Sequence, residues 1–347
     1  VETQEGQTRR LHGDVVLIAT GSSPRRPAGF LFDDPRIHDS DEILRLDEIP
    51  RELVVIGAGV IGCEYACTFA ALGTKVFLVD KRAVPLGFLD LELSQALLRG
   101  MRQLGIELCL PDEMVSCEAR PDAVVTKLQS GRELKSDGVL VAAGRSSNTA
   151  NLGLEAAGIT PGKHGLLEVN SRFQTSVPHI YAAGDVIGFP ALASTSMEQA
   201  RMAMVSAFDL KYKTSVAEVL PYGIYTIPEI SMAGATEEEL QQKGVDYICG
   251  RARYPDNARG TIIGDESGFL KLIFARDDLR LLGVHVIGEI ATELLHIGLM
   301  ALMTRSGAPL FIETCFNYPT LGELYKYATY DALGRRSAAS RTLASHA

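Results

Sequence analysis

The chain contains no CxxC or CxxxxC pair. Its six cysteines lie apart, at 63, 67, 109, 117, 249 and 315. Cys63 and Cys67, four apart on one helix face, do not by themselves identify a metal site, and scattered, unpaired thiols suit a reducing cytoplasm. Seven isolated histidines offer no metal cluster either. No apolar run approaches the roughly 18 residues of a membrane span. The opening Val-Glu-Thr-Gln-Glu-Gly has neither an initiator Met nor the pattern of a signal peptide. Positive charge is in deficit: 34 Lys and Arg against 43 Asp and Glu leave a net charge of −9. That argues against a general nucleic-acid partner, while leaving room for a local basic phosphate pocket. Repeats and low-complexity tracts are also lacking. The expectation is a cytoplasmic globular protein of two or three domains, with no membrane, nucleic-acid or metal partner.

What is present is a glycine pattern in a specific setting. Residues 53–62 read Leu-Val-Val-Ile-Gly-Ala-Gly-Val-Ile-Gly, an apolar strand running into Gly57, Gly59 and Gly62. A second apolar run, Val76-Phe77-Leu78-Val79, ends in Asp80, 18 residues after Gly62. Strand, glycines, helix, strand and terminal acid in that order form a dinucleotide-binding fingerprint. Gly57 allows the tight turn, Gly59 lets a pyrophosphate approach the backbone, and Gly62 lets the helix pack on the strand. The helix N-terminus offers unpaired N–H groups to phosphate. Asp80 is placed to accept hydrogen bonds from an adenosine ribose. Lys81 and Arg82 directly after it are placed to neutralise a 2′-phosphate, so the site reads as open to both NAD and NADP. The bland alternatives are a solvated Asp-Lys-Arg loop and, for Cys63 and Cys67 on the same helix, two small buried residues.

Periodicity predicts strands at 11–22, 53–57, 75–80 and 137–143, with helices at 60–72 and 90–104 between them. A β ribbon is predicted at 114–119 and 123–129, turning at Ser130-Gly131. A further strand ends at Gly184-Asp185, followed by a helix over 191–209. From about 216 the texture changes to strands at 222–226, 246–254, 268–275 and 281–288, with helices at 236–243, 290–305 and 320–334. Residues 337–347 read as a loose tail.

Three further signatures surround the fingerprint: Ala19-Thr20-Gly21, Gly144-Arg145-Ser146-Ser147-Asn148, and Thr175 followed by Ile180-Tyr181-Ala182-Ala183-Gly184-Asp185. Together they resemble the flavoprotein pyridine nucleotide-disulfide oxidoreductase family over almost the whole chain. The resemblance implies an α/β architecture in which a doubly wound NAD(P) domain is inserted in the remnant of a FAD domain, followed by a C-terminal α+β interface domain. The expected boundaries are 1–48 and 149–215 for the FAD-binding parts, 49–148 for the NAD(P) domain, 216–336 for the interface domain, and 337–347 for the tail. It further implies that Thr20, Gly21 and Asp185 contact FAD, Asp185 through the ribityl chain. Gly144 belongs with the NAD(P) site, and Glu64 lies near the nicotinamide–flavin contact. The interface domain implies a homodimer formed through helices 290–305 and 320–334.

Disulfide reductases of that family carry a His-Pro-Thr-x-x-Glu stretch whose His is the base for dithiol chemistry. Here the stretch is Tyr318-Pro319-Thr320-Leu321-Gly322-Glu323. A tyrosine, with a pKa near 10, is a poor general base at neutral pH. The stretches Gly57–Tyr65, Gly184–Pro190, Gly223–Ile230 and Phe316–Thr320 resemble a branch of the family that dispenses with dithiol chemistry. That branch implies Si-specific hydride exchange between NADPH and NAD⁺ through one flavin, with ping-pong kinetics. The runner-up is a dihydrolipoamide dehydrogenase-like or metal-ion reductase activity. The family's first GxGxxG, for FAD, is missing, so the chain is expected to be a fragment. An inert nucleotide-binding, dimerising module is the reading from a different class.

Overall fold

The computed structural model describes residues 6–344, with side chains through Ser337. In chain order the first strands are β1 (Val16–Ile18), β2 (Ser22–Pro24), β3 (Ile37–Asp39) and β4 (Glu52–Ile56). Then come α1 (Val60–Ala71), β5 (Lys75–Val79), α2 (Leu91–Gln103), β6 (Glu107–Cys109), β7 (Met114–Ala119), β8 (Val124–Leu128), β9 (Glu133–Ser136) and β10 (Gly138–Val141). The middle of the chain holds β11 (Arg145–Ser147), β12 (Ile180–Ala182) and α3 (Ala193–Ala207). The last part holds β13 (Tyr222–Ile224), β14 (Ile230–Gly234), α4 (Glu237–Gln242), β15 (Tyr247–Arg253), α5 (Ala258–Ile263), β16 (Phe269–Ala275), β17 (Leu281–Ile287), α6 (Ala291–Met303), α7 (Ala308–Glu313) and α8 (Leu324–Ala344).

Two units emerge. The first comprises residues 6–25 and 144–217. Within it β1 pairs with β12 in parallel and β2 with β11 antiparallel. Its core is small: Ile18, Leu154, Ile159, Leu167, Ile180, Ala182 and Val186. The predicted buried strand over 11–22 shrinks to three residues, of which only Ile18 is buried. With a single pairing partner among the described residues, β1 gains neither the ladder nor the cover that buries a central strand.

The second unit comprises residues 26–143 and 218–344. Its nucleotide-type sheet is parallel, in the order β3-β10-β4-β5-β6. The strands Leu53–Val55 and Val76–Val79 are buried, as central parallel strands require. One sheet face packs against α1 and α2. The other packs against an antiparallel meander β7-β8-β9, whose Cys117, Val124, Leu128 and Leu134 are buried. The predicted ribbon thus has a third strand, β9, which the Ser130-Gly131 turn leads into. Its alternating burial is carried by only four residues, too few for periodicity to mark. Helix α2 begins at Asp90, whose carboxylate accepts the Glu92 N–H. Its Leu93, Ala96, Leu97, Gly100 and Met101 fall on one buried face at helical spacing.

The C-terminal sheet is antiparallel, in the order β13-β14-β17-β16-β15. β14 lies between β13 and β17 and was missed because Pro228 and Gly234 bracket it with turn signals. Helices α6 and α8 cover one sheet face, burying Leu294, Leu295, Leu299, Tyr325, Ala328 and Ala332. Ile224, Ile230, Met232, Phe269 and Ile287 instead join the core of α1 and α2. That shared core groups 26–143 with 218–344 as one compact unit.

Residues 26–48, expected with the FAD remnant, group with the nucleotide sheet because β3 pairs with β10. Residues 144–148, expected with the NAD(P) domain, group with the first unit through β2–β11 pairing. The expected loose tail from 337 is helical to Ala344, since α8 meets no proline there to stop it. Residues 345–347 of that tail lie outside the described residues.

An ion network is buried where α2, α4 and the C-terminal sheet meet. Lys271 and Asp90 are each 1% exposed at the side chain, and Lys271 Nζ donates to both Asp90 oxygens at 2.7 and 2.8 Å. Lys271 also meets Glu237 at 2.5 Å and Glu92 at 3.2 Å. Arg251 donates through Nε and Nη2 to Glu92, at 2.7–2.9 Å. Asp90, Glu92 and Glu237 lie close enough to share a cation, and Lys271 fills that role.

Candidate functional site

The three fingerprint glycines have three different jobs. Gly57 has φ +105°, and a Cβ there would lie 2.5 Å from the Ala142 carbonyl oxygen. A Cβ on Gly62 would lie 1.8 Å from the Gly57 oxygen. These two close the turn onto its neighbours. Around Gly59 a Cβ would meet nothing within 4 Å, which leaves the backbone open to a ligand. Gly59 is also the N-cap of α1, with no side-chain cap and no acidic residue in the first turn. The helix end therefore presents uncapped N–H groups and partial positive charge. An open backbone facing an uncapped helix end fits the pyrophosphate of a dinucleotide.

Asp80, at the end of β5, reaches back to that turn. Its Oδ2 accepts the Ala58 N–H at 2.7 Å. Arg82 closes on the same carboxylate: its backbone N–H and Nε donate to Oδ1, each at 2.9 Å, and Nη2 donates to Oδ2 at 2.8 Å. Burial pushes the Asp80 pKa up, but the hydrogen bonds from Arg82 and Ala58 outweigh it and hold the carboxyl below its ordinary range. Arg82 is held above its own. Lys81 between them is exposed.

Glu64 sits in the second turn of α1, half-buried, with Oε1 accepting the Tyr225 N–H at 2.8 Å. Burial raises its pKa, and the Tyr225 N–H offsets only part of that. Sequence reasoning missed Tyr225, because nothing local links residues 161 positions apart. Cys63 and Cys67 are fully buried, as expected of packing residues, and burial pushes the Cys67 thiol up to about 11. Tyr318 is 74% exposed, and among the described residues the buried Glu323 Oε2 has no hydrogen-bond partner.

In the first unit, Thr20, Gly21 and Asp185 come together. The Thr20 hydroxyl donates to the Asn148 carbonyl at 2.8 Å, and Asn148 Nδ2 donates back to Thr20 O at 3.0 Å. Gly21 has φ +71° and open space where a Cβ would be. Asp185 Oδ2 accepts the Ser22 hydroxyl, while Arg145 Nε donates to Ser22 Oγ at 2.8 Å. Among the described residues Asp185 Oδ1 receives no hydrogen bond. Gly184 has φ +81°, and its N–H is held by Gln199 Oε1 at 2.8 Å. A half-exposed carboxylate with a free oxygen, joined through Ser22 to the open backbone at Gly21, fits a polyhydroxyl chain such as the ribityl group. Ser22 and Gln199 are the supports that sequence reasoning missed. Gly144 lies in this unit too, with φ +94° and its carbonyl accepting the Arg25 N–H.

Residues 1–206 match the family model described as pyridine nucleotide-disulphide oxidoreductase, and residues 220–329 match the dimerisation domain of that family. The chain is 46% identical over 338 residues to a soluble pyridine nucleotide transhydrogenase of Mycobacterium tuberculosis, covering 96% of this chain and 72% of the relative. Against the protein of the same name from Yersinia enterocolitica the identity is 43% over 339 residues, with the same coverages. Among solved structures, LpdA from Mycobacterium tuberculosis superposes with a TM-score of 0.88 at 28% identity, covering 94% of this chain and 71% of that one. The HOCl-induced flavoprotein disulfide reductase RclA from Escherichia coli gives 0.86 at 25% identity, covering 92% and 74%. No helix among the described residues is long and apolar enough to cross a membrane.

Proposed function

The chain belongs to the pyridine nucleotide-disulphide oxidoreductase family, and from that premise we propose that it exchanges hydride between NADPH and NAD⁺ as a FAD-dependent transhydrogenase. The observation that carries this reading is the open Gly59 backbone at an uncapped helix end, in a chain 46% identical to relatives named for that activity. FAD, when bound, supplies the redox centre that takes hydride from one nucleotide and returns it to the other. In this proposal Thr20, Gly21 and Asp185 hold FAD. Gly57, Gly59, Gly62, Asp80, Lys81, Arg82 and Gly144 serve the nicotinamide nucleotides. Glu64 positions the nicotinamide end, its carboxylate oriented by the Tyr225 N–H. The reaction moves no proton that needs a general base, which accords with Tyr318 where a disulfide reductase has His.

Si-specific transfer, a cytoplasmic setting and a homodimer complete the proposal. For the last, α6 exposes Ile297, Met300 and Met303, and α8 exposes Tyr327 and Tyr330, within or beside the segment matching the dimerisation domain. The full-length protein, with the FAD fingerprint that this sequence lacks, is expected to be yellow, to bleach with NADPH and to recover its colour with NAD⁺. Initial rates at several fixed nucleotide concentrations should give parallel double-reciprocal lines. Intersecting lines reject exchange at one site, and a colourless protein supports an inert nucleotide-binding module instead.

A further inference from the structure

We propose that Arg82 is a two-position arm: it closes on Asp80 in the free protein and is released by either nucleotide, so that it sets the balance between nucleotides with and without a 2′-phosphate. This rests on the nucleotide reading of the 57–62 turn and goes beyond it. Asp80 is not a free acceptor. Three Arg82 donors and the Ala58 N–H meet its two oxygens, which fills about the four acceptor positions a carboxylate offers. The Asp80 side chain is 8% exposed and tied to the turn backbone, whereas the Arg82 side chain is 51% exposed. When the pair opens, the arginine is therefore the member that moves.

The two nucleotides open it differently. A ribose with a free 2′-hydroxyl must take acceptor positions that Arg82 now occupies. A 2′-phosphate instead offers the guanidinium a second anion with matching fork geometry, and draws the arm away. The same side chain competes with one ligand and recruits the other. A half-exposed ion pair is weakly held, so neither ligand is shut out, which is what an enzyme using both requires.

The test uses the full chain and two probes, ADP and 2′,5′-ADP, with dissociation constants measured by calorimetry. In Arg82→Ala, 2′,5′-ADP should bind about tenfold more weakly, having lost a charge-assisted fork. ADP should bind about threefold more tightly, because Asp80 is unmasked. The direction for ADP is diagnostic, since removing a cation beside a diphosphate would by itself weaken it. Arg82→Lys keeps the charge but not the fork, and should tighten ADP while losing less 2′,5′-ADP affinity than Arg82→Ala. Unchanged or weaker ADP binding in both variants overturns the arm and leaves the nucleotide site standing. Failure of the unsubstituted protein to bind either probe overturns both.

Discussion

Replacing Lys271 with Met is expected to destabilise the second unit by about 3–5 kcal/mol at neutral pH, because it strands the buried Asp90 carboxylate without its cation. Asp90 and Lys271 are both 1% exposed, so solvent cannot take over the lost partner. The pH dependence carries the sign. Burial pushes Asp90, Glu92 and Glu237 upward, but their cationic and hydrogen-bonding neighbours, Lys271 among them, hold all three below the ordinary carboxyl range. Their contribution is complete above the unfolded values of about 4 and is lost as pH falls through the lower folded values. Lys271 lies above its ordinary range: burial lowers it, and Asp90 and Glu237 outweigh that. Its contribution is complete below the unfolded lysine value and is lost only as pH rises through the folded one. In Lys271→Met the buried Asp90 loses this cation and burial drives its folded pKa above the unfolded value, so protonation relieves that variant as pH falls from about 7 to about 4, while the wild-type contribution stays intact over that range. Urea midpoints should therefore differ most near pH 7 and converge toward pH 4. A neutral-pH difference under about 1 kcal/mol, the value of an exposed pair, would show that the network does not hold α2 to the C-terminal sheet.

Alanine at Gly59 and alanine at Gly62 should separate binding from folding. At Gly62 the new methyl would sit 1.8 Å from the Gly57 oxygen. The strand and helix must part, at a cost of about 1–3 kcal/mol for overpacking, and nucleotide binding should fall with stability. At Gly59 nothing lies within 4 Å and the backbone is extended. That variant should keep its melting temperature, losing less than about 1 kcal/mol as an N-cap change. Yet its methyl occupies the face where a pyrophosphate must approach, so ADP affinity should drop about tenfold, a loss near 1.4 kcal/mol. Thermal melts paired with ADP titrations read both quantities. Wild-type ADP affinity in a folded Gly59→Ala would move the phosphate site off this turn.

Both predictions show where local sequence stops being informative. The turn was legible because its work is done by residues a few positions apart. Gly57 needs positive φ, Gly62 must lack a Cβ, and β4 and β5 announce themselves as short apolar runs. The Lys271 network was not legible, because its central bonds join residues 181 positions apart. Its one local sign is a single charge inside Phe269–Ala275, an otherwise apolar strand that is buried throughout. Asp90 read only as a helix start, yet it caps α2 and holds Lys271 at once.

By itself the sequence determined the nucleotide turn, the acid at the end of β5, the order of most elements and the resemblance to a flavoprotein family. Each is set by backbone dihedrals, side-chain size or short-range periodicity. Tertiary structure alone decided that Asp80 is already occupied by Arg82, that Glu64 is held by Tyr225, and that residues 26–143 share a core with the C-terminal sheet. Those outcomes depend on which distant groups compete for the same acceptor or the same buried face, and spacing along the chain does not record that competition.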